Sequence, residues 1–237
     1  MRHALAWVMP RHARLVIAID GPSASGKSTT ARAVARTLGY LYVDTGAMYR
    51  ALAWKVLREG LELSDDAAVT DFLGRTSIEC GVAKGSFNVV LDGRDLSAEL
   101  RLPEVGSMAS KVAALPRVRS WMVAKQQDIA RGGTGVVMEG RDIGTVVLAD
   151  ADLKIYLDAS SGERASRRWK EERAKGESRR PADVEEEMRE RDRRDMTREH
   201  SPLEKATGAV VIDTTNLSID AQVERVLEEV RRTVEGR

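Results

Sequence analysis

Short apolar runs alternate with longer amphipathic stretches along most of this chain. The runs cover residues 15–19, 40–43, 136–138, 153–157 and 209–212. Continuous apolar runs of this kind are typical of parallel strands that are covered on both faces. Helical patterns separate them, and the clearest are residues 28–38, which end at Gly39, and residues 219–234. The alternation predicts an α/β fold with a doubly wound, five-stranded parallel sheet, but it does not define the strand order.

One segment interrupts this alternation. Residues 77–96 contain short β-rich pieces separated at Gly81, at Gly85 and at the pair Asp92-Gly93. An Asp-Gly pair between apolar pieces is a strong hairpin sequence, because both residues of the tight turn need a positive φ. We therefore expect a small antiparallel sheet inserted into the α/β core.

The densest charge lies in residues 163–200, which contain 13 Lys and Arg and 12 Asp and Glu residues. Such balanced charge is typical of solvated helical faces with i,i+4 ion pairs. One set of positions differs, because its spacing of three or four residues places it on a single helical face. These positions are Val184, Met188, Arg191, Asp195 and Arg198. The change from apolar to charged residues predicts a helix that runs from the core into a polar cleft.

Composition excludes several classes of protein. The 237 residues include 38 Lys and Arg against 37 Asp and Glu, and a net charge of +1 gives no basis for a nucleic-acid partner. The single cysteine, Cys80, excludes a disulfide framework, and no apolar stretch is long enough to span a membrane. We therefore expect a cytoplasmic protein without a membrane partner. Residues 1–14 are basic and lack acidic residues, and we expect them to form a disordered or additional extension.

A phosphate-binding sequence follows the first predicted strand. Gly21-Pro-Ser-Ala-Ser-Gly-Lys27-Ser28 matches the pattern G-x-x-x-x-G-K-[ST] between a strand and a helix, which is the context that a P-loop requires. Its glycines let the backbone approach phosphate oxygens, and the helix N-terminus adds N–H donors. Lys27 would bind the β- and γ-phosphates, and the Ser28 hydroxyl would be a ligand of Mg²⁺. The sequence thus predicts that the chain binds a nucleoside triphosphate.

Two further motifs follow predicted strands. DTGAMYR occupies residues 44–50, and EGRD occupies residues 139–142. The carboxyl ends of parallel strands border the ligand crevice of an open α/β sheet. Arg50 and Arg141 can each bind a phosphate through two N–H groups, and Tyr49 can add a hydroxyl donor. Arginines from several segments around one P-loop are what phosphoryl transfer requires, because it depends on positioning and charge stabilisation.

The ordered set of motifs resembles one enzyme family. IDGPSASGKST, DTGAMYR, SKVAALPRVR, EGRDIGTVV, KIYLDAS and RERDRRDMTR resemble bacterial cytidylate kinases, from residue 15 to the C-terminus. The resemblance implies a P-loop nucleoside monophosphate kinase fold with a core of residues 15–63, 116–162 and 181–237. It further implies a monophosphate-binding insert of about residues 64–115 and a helical lid of about residues 163–180. The implied reaction transfers the γ-phosphoryl group of ATP to CMP or dCMP, and we expect a monomer because closing domains need room to move.

The resemblance also implies roles for individual residues. ATP would be held by Gly21, Pro22, Ser23, Ala24, Ser25, Gly26, Lys27, Ser28 and Thr29, with Arg164 and Arg167 reaching over it from the lid. The acceptor phosphate would face Tyr49, Arg50, Arg141 and Arg198, cytosine would be read by Ser110, Arg119 and Asp142, and the sugar would be held by Arg191 and Asp195. Asp44, Thr45 and Gly140 would complete the acceptor site, and catalysis would depend most on Lys27, Arg50, Arg141, Arg167 and Arg198. Thr45 stands where the family often has serine, so a slight shift in sugar discrimination is expected.

Two other functions fit part of the sequence. One is a P-loop kinase that acts on another small alcohol or monophosphate, and the other is a nucleotide-sensing module without turnover. The arginines on the acceptor side disfavour the sensor, since binding ATP alone would not need them. A GTPase is disfavoured because the sequence has no guanine-reading Asn-Lys-x-Asp segment.

Overall fold

The structure is a computed structural model that describes residues 14–63, 65–83 and 86–237. Apart from Arg14, the predicted N-terminal extension lies outside the described residues, and so does Gly85. The described strands are β1 (Val16–Asp20), β2 (Leu41–Asp44), β3 (Ile78–Ala83), β4 (Ser86–Leu91), β5 (Arg94–Asp95), β6 (Val136–Gly140), β7 (Leu153–Asp158) and β8 (Val210–Asp213). The α-helices are α1 (Lys27–Leu38), α2 (Thr45–Glu59), α3 (Asp66–Gly74), α4 (Pro103–Val112), α5 (Pro116–Ala130), α6 (Ser161–Ala174), α7 (Pro181–Thr197) and α8 (Ile219–Glu235). A 3-10 turn at Glu99–Arg101 and a π-helical turn at Ile143–Val147 complete the described elements.

Five strands form one parallel sheet in the order β2-β6-β1-β7-β8. Each of them coincides with a predicted apolar run, so the predicted α/β fold and its five-stranded sheet are confirmed. In the centre of the sheet, β1 pairs with β6 on one side and with β7 on the other. This position places the carboxyl end of β1, and the loop that follows it, beside the carboxyl ends of both neighbours.

Helices cover both faces of the sheet. On one face, Val34 of α1 and Val226 and Val230 of α8 pack against Ile17 and Ile155 of the sheet. The other face is covered by side chains of α2, α4 and α5. Among the described helices, none combines the length and the apolar character needed to cross a lipid bilayer.

The predicted small antiparallel sheet is confirmed as β3-β4-β5. Asp92 and Gly93 form the turn between β4 and β5 with φ angles of 49° and 78°, as the Asp-Gly pair predicts. The sheet does not pack around a core of its own in the described residues, because Phe72 and Leu91 belong to the same apolar cluster as Met138 of β6. The insert and the parallel sheet therefore share one core.

The predicted charged stripe lies on α7 as far as Asp195. Val184 and Met188 are buried and pack with Ala165 and Trp169 of α6, and Asp195 is also buried. The prediction that Arg198 continues the same helical face is wrong, because α7 ends at Thr197 and Arg198 has an extended backbone. The chain folds back there, and the amide of Leu203 donates to the carbonyl of Asp195 at 2.7 Å. The Arg198 side chain nevertheless stays largely buried, at 10% exposure.

Candidate active site

The P-loop connects β1 to α1, and its glycines are required by close contacts. A Cβ at Gly21 (φ 148°) would lie 2.0 Å from the carbonyl oxygen of Leu157, and one at Gly26 (φ 96°) would lie 2.4 Å from Gln222 Oε1. The N-cap residue of α1 is Gly26, which has no side chain to cap the first turn, so the first N–H groups of the helix point out of its end. Such a helix start binds phosphate oxygens well. The residues predicted to bind the donor, 21–29, all lie on this loop and on the first turn of α1.

Lys27 is folded back over the P-loop. Its Nζ donates to the carbonyl of Pro22 at 2.6 Å and to Ser25 Oγ at 3.4 Å. Burial, followed by the positive charge of Arg141, lowers the pKa of Lys27 to about 7. A phosphate beside Nζ would favour the charged form of this lysine, because an opposite charge offsets the cost of burial.

A buried carboxylate lies next to the P-loop at the carboxyl end of β6. Glu139 accepts a hydrogen bond from the hydroxyl of Tyr42 at 3.0 Å, and the nearby Ser28 hydroxyl favours its ionised form and so tends to lower its pKa. Burial and the nearby Asp44 raise the pKa of Glu139 above its ordinary value. The Ser28 and Glu139 oxygens together form a pair of the type that Mg²⁺ prefers.

A second carboxylate lies at the carboxyl end of β1. Asp20 is 3% exposed, and it accepts hydrogen bonds from the backbone N–H groups of Ile143 at 2.9 Å and Gly144 at 2.7 Å. Burial raises the pKa of Asp20 to about 6, although these two donors favour its ionised form. Asp20 thus fixes the start of the turn that follows the EGRD motif.

The predicted acceptor residues converge beside the P-loop in a cluster of mostly buried side chains, and we call the region that they surround the acceptor cleft. Most of its arginines pair with carboxylates. The pairs are Arg50 with Asp44 at 2.9 Å, Arg141 with Asp195 at 3.0 Å, Arg119 with Asp142 in direct contact, and Arg198 with Asp142 at 3.9 Å. These residues come from the end of β2, α2, α5, the EGRD motif and the end of α7, so only the folded chain brings them together.

The acceptor cleft retains unused hydrogen-bonding capacity. Among the described residues, no hydrogen-bond partner is found for the Tyr49 hydroxyl, Arg119 Nε, Arg191 Nε or Arg198 Nη2, although all four atoms are buried. The buried hydroxyl of Ser110, on α4, likewise has none among them. Buried polar groups are nearly always hydrogen-bonded, so this set indicates a site for a polar ligand.

The charges of the acceptor cleft favour an anion. Burial and the neighbouring Arg141 lower the pKa of Arg191 to about 10. Burial tends to raise the pKa of Asp195, but Arg141 and Arg191 hold it below its ordinary value. A dianionic phosphate among these arginines would relieve the repulsion between their charges.

Three other predicted site residues donate hydrogen bonds to groups of the protein itself. Arg164 is buried and donates to Asp192 at 2.5 Å and to the carbonyl of Ser23 at 3.3 Å. Arg167 donates to the carbonyl of Thr214 at 2.6 Å. Both arginines, which were predicted to lie on a lid, therefore bind acceptors of the protein itself, on α7 and on the segment after β8.

The third of these residues is Thr45, whose hydroxyl donates to the carbonyl of Glu139 at 2.7 Å. A Cβ at Gly140 would lie 2.7 Å from that hydroxyl oxygen, so Gly140 permits the contact between β6 and the start of α2.

Sequence reasoning missed several residues of this site. Asp20 and Glu139 could have been found, because each lies at the carboxyl end of a strand and within an identified motif, Asp20 as the last residue of β1 and Glu139 as the residue before the last of β6. Asp192, Thr214 and Gln222 have no comparable sequence pattern. Each is buried and contacts a residue far away in the chain, as Thr214 does by donating to the carbonyl of Ser25 in the P-loop at 2.9 Å.

Comparison with known proteins agrees with this arrangement. A family model described as cytidylate kinase matches residues 17–232. A protein named cytidylate kinase from Symbiobacterium thermophilum is 49% identical over 220 residues, which cover 92% of this chain and 97% of that protein. Another protein of that name, from Geobacillus kaustophilus, is 48% identical over 224 residues, which cover 93% of this chain and 98% of that protein. Together with the P-loop and the arginine-lined cleft, these matches show that the chain belongs to the cytidylate kinase family of phosphotransferase enzymes.

Proposed function

We propose that this enzyme transfers the γ-phosphoryl group of ATP to CMP or dCMP and releases ADP with CDP or dCDP. The observation that carries the proposal is the buried ion pair of Arg119 and Asp142, which directly follows Arg141, a residue whose charge acts on Lys27 of the P-loop. The donor phosphates would lie on the P-loop, and the acceptor phosphate would lie among the arginines of the acceptor cleft. Phosphoryl transfer then depends on alignment and on stabilisation of negative charge.

The base would be recognised by a donor and an acceptor side by side. Cytosine has an acceptor at N3 and a donor amino group at C4, whereas uracil has a donor at N3 and an acceptor at C4. Arg119 can only donate and a carboxylate such as Asp142 can only accept, so the pair is complementary to cytosine. The unpartnered hydroxyl of Ser110 is proposed to add a further contact. With uracil, buried groups would stay unpaired, at a cost of about 1–3 kcal/mol each.

The remaining cleft residues are assigned to the phosphate and the sugar. Tyr49, Arg50, Arg141 and Arg198 would bind the acceptor phosphate, and Arg191 and Asp195 would hold the ribose. The unpaired buried atoms of Tyr49, Arg191 and Arg198 support these assignments. Asp44, Thr45 and Gly140 would act by shaping the start of α2 and the end of β6.

On the donor side, Mg²⁺ would be held by the Ser28 hydroxyl and the Glu139 carboxylate. The closeness of these two groups to each other and to Lys27 supports this assignment. When bound with ATP, Mg²⁺ neutralises charge on the β- and γ-phosphate oxygens. We further propose that the enzyme is a monomer located in the cytoplasm. Light scattering with and without nucleotides would test the first of these two proposals.

A substrate panel tests the proposed function. We expect coupled ADP release to be fastest with CMP and dCMP, and kcat/KM for UMP to be about 100-fold lower than for CMP because two buried polar matches fail. AMP and shikimate, run in parallel, represent the other acceptor classes. Faster turnover of UMP, AMP or shikimate than of CMP would assign the enzyme to another acceptor. ATP binding without turnover of any compound in the panel would favour a sensor.

The lid is expected to become more rigid when both substrates are bound. Its helix α6 is connected to the rest of the protein by polar contacts of Arg164 and Arg167 and by a small apolar cluster around Ala165. Hydrogen exchange in residues 163–180 should slow when a bisubstrate analogue of ATP and CMP binds, because closure excludes water from the site. Helix α8 is the internal control, and unchanged exchange in residues 163–180 would contradict the lid assignment.

A further inference from the structure

The carboxylate of Asp142 does not cap the turn that follows it. Asp142 immediately precedes the π-helical turn Ile143–Val147 and has no capping hydrogen bond to it. An aspartate in this position usually accepts a hydrogen bond from a backbone N–H of the first turn. Two other aspartates of this chain do so: Asp44 accepts from the amide of Ala47 at 2.8 Å, and Asp65 accepts from the amide of Ala68 at 2.8 Å.

Asp20, at the carboxyl end of β1, supplies the hydrogen-bond acceptors that the side chain of Asp142 does not supply. Its Oδ1 accepts from the N–H of Ile143 and its Oδ2 accepts from the N–H of Gly144, so each oxygen of this buried carboxylate holds one N–H of the turn. Because a buried backbone N–H without a partner is strongly disfavoured, the first turn needs a carboxylate close by. Asp20 meets that need from the carboxyl end of β1 and leaves Asp142 to contact Arg119.

We propose that Asp20 is a positioning residue for base selectivity: by capping the turn after EGRD, it keeps the Asp142 carboxylate directed at Arg119 and at the acceptor base. This inference rests on the proposed reading of cytosine by Arg119 and Asp142. Without the Asp20 carboxylate, the N–H groups of Ile143 and Gly144 would need another acceptor, and the side chain of Asp142 directly precedes them in the chain. Once Asp142 turned back to cap them, it would no longer accept the amino group of cytosine.

The test compares acceptors in the variant Asp20→Asn. Asparagine has nearly the same shape, but it keeps only one acceptor oxygen and places an N–H₂ group against the second backbone N–H. We expect the ratio of kcat/KM for CMP to that for UMP to fall by about 10-fold, from a wild-type value of about 100. Both acceptors are measured with the same ATP concentration, so any effect of Asp20 on Lys27 or on donor binding cancels in the ratio.

The matched control is Asp65→Asn, because Asp65 also caps a helix but lies on the surface of the insert. The ratio of kcat/KM for CMP to that for UMP in the Asp65→Asn protein should equal the wild-type ratio. Asp20→Ala is the second variant, and it removes both acceptors without adding a donor. Thermal unfolding identifies which of the two Asp20 variants is folded, and the ratio is taken from that protein.

A double variant distinguishes a specific role from a general loss of structure. If Asp20 acts through Asp142, adding Asp20→Asn to Asp142→Ala should not change the CMP to UMP ratio any further. A folded Asp20 variant with the wild-type ratio, or an equal fall in the ratio with and without Asp142, would overturn the inference and leave the proposed function intact. If Asp142→Ala itself keeps the wild-type ratio, the proposed base recognition fails, and the inference fails with it.

Discussion

Replacing Lys27 by alanine is expected to lower kcat by at least ~10³-fold, the scale of loss for a principal group that stabilises transferred phosphoryl charge. Lys27 Nζ lies against the backbone of the P-loop, where the two terminal phosphates of ATP would be bound. An alanine there leaves the backbone N–H groups but removes the only positive charge that this loop contributes. The measurement is kcat at saturating ATP and CMP, with folding checked by thermal unfolding.

Lys125→Ala is the matched control for this prediction. Lys125 is exposed on α5, where its ammonium group lies over the ring of Trp121, and it takes no part in the site. Its kcat should stay within about twofold of the wild type, since surface changes away from a site have small effects. Near-wild-type turnover by a folded Lys27→Ala protein would refute the assignment of the P-loop as the donor site.

Replacing Asp142 by alanine should lower kcat/KM for CMP by about 100-fold and should change the value for UMP far less. The carboxylate is the acceptor proposed for the cytosine amino group, and uracil has no donor at that position. Alanine also leaves Arg119 without its carboxylate partner, although Arg119 still donates to the carbonyl of Ala113. Four kcat/KM values, from two enzymes and two substrates, give the result.

Asp142→Asn is a second variant that tests base recognition by Asp142. The asparagine oxygen can still accept from cytosine, while its N–H₂ group can donate to the C4 oxygen of uracil. We therefore expect kcat/KM for UMP to be higher in this variant than in the Asp142→Ala protein. The difference in kcat/KM between CMP and UMP should be smaller than in the wild type. A CMP to UMP ratio that stays at the wild-type value in both variants would exclude Asp142 from base recognition.

Local patterns were sufficient for the strands of the fold. The apolar runs predicted all five strands of the parallel sheet, and the Asp92-Gly93 pair predicted the hairpin of the insert. The strand order could not be predicted, because it depends on pairing between distant segments such as β1 and β6. The extent of α7 was overestimated, since its end is set by the contact of Leu203 with the carbonyl of Asp195.

The residues of the site also differ in how far the sequence could predict them, because some lie in one local motif and others depend on contacts between distant segments. The P-loop is one continuous segment with a known geometric requirement, so its residues could be read directly. The resemblance to a family supplied the acceptor residues, and the structure brings Arg119, Arg141 and Arg198 together with Asp142 and Asp195. The capping of Ile143 by Asp20, which joins residues 123 positions apart, has no periodicity that a sequence pattern could reveal.

The common core of the insert and the parallel sheet has a consequence for protein engineering. Phe72 and Leu91 of the insert are buried in the same apolar cluster as Met138 of β6. Full burial of such a side chain contributes about 1.5–3 kcal/mol, while whole domains are stable by only about 5–15 kcal/mol. A foreign insert with mismatched side chains would therefore remove a large share of the stability. The insert therefore cannot be exchanged as an independent module, and its redesign has to proceed by single side chains within the native scaffold.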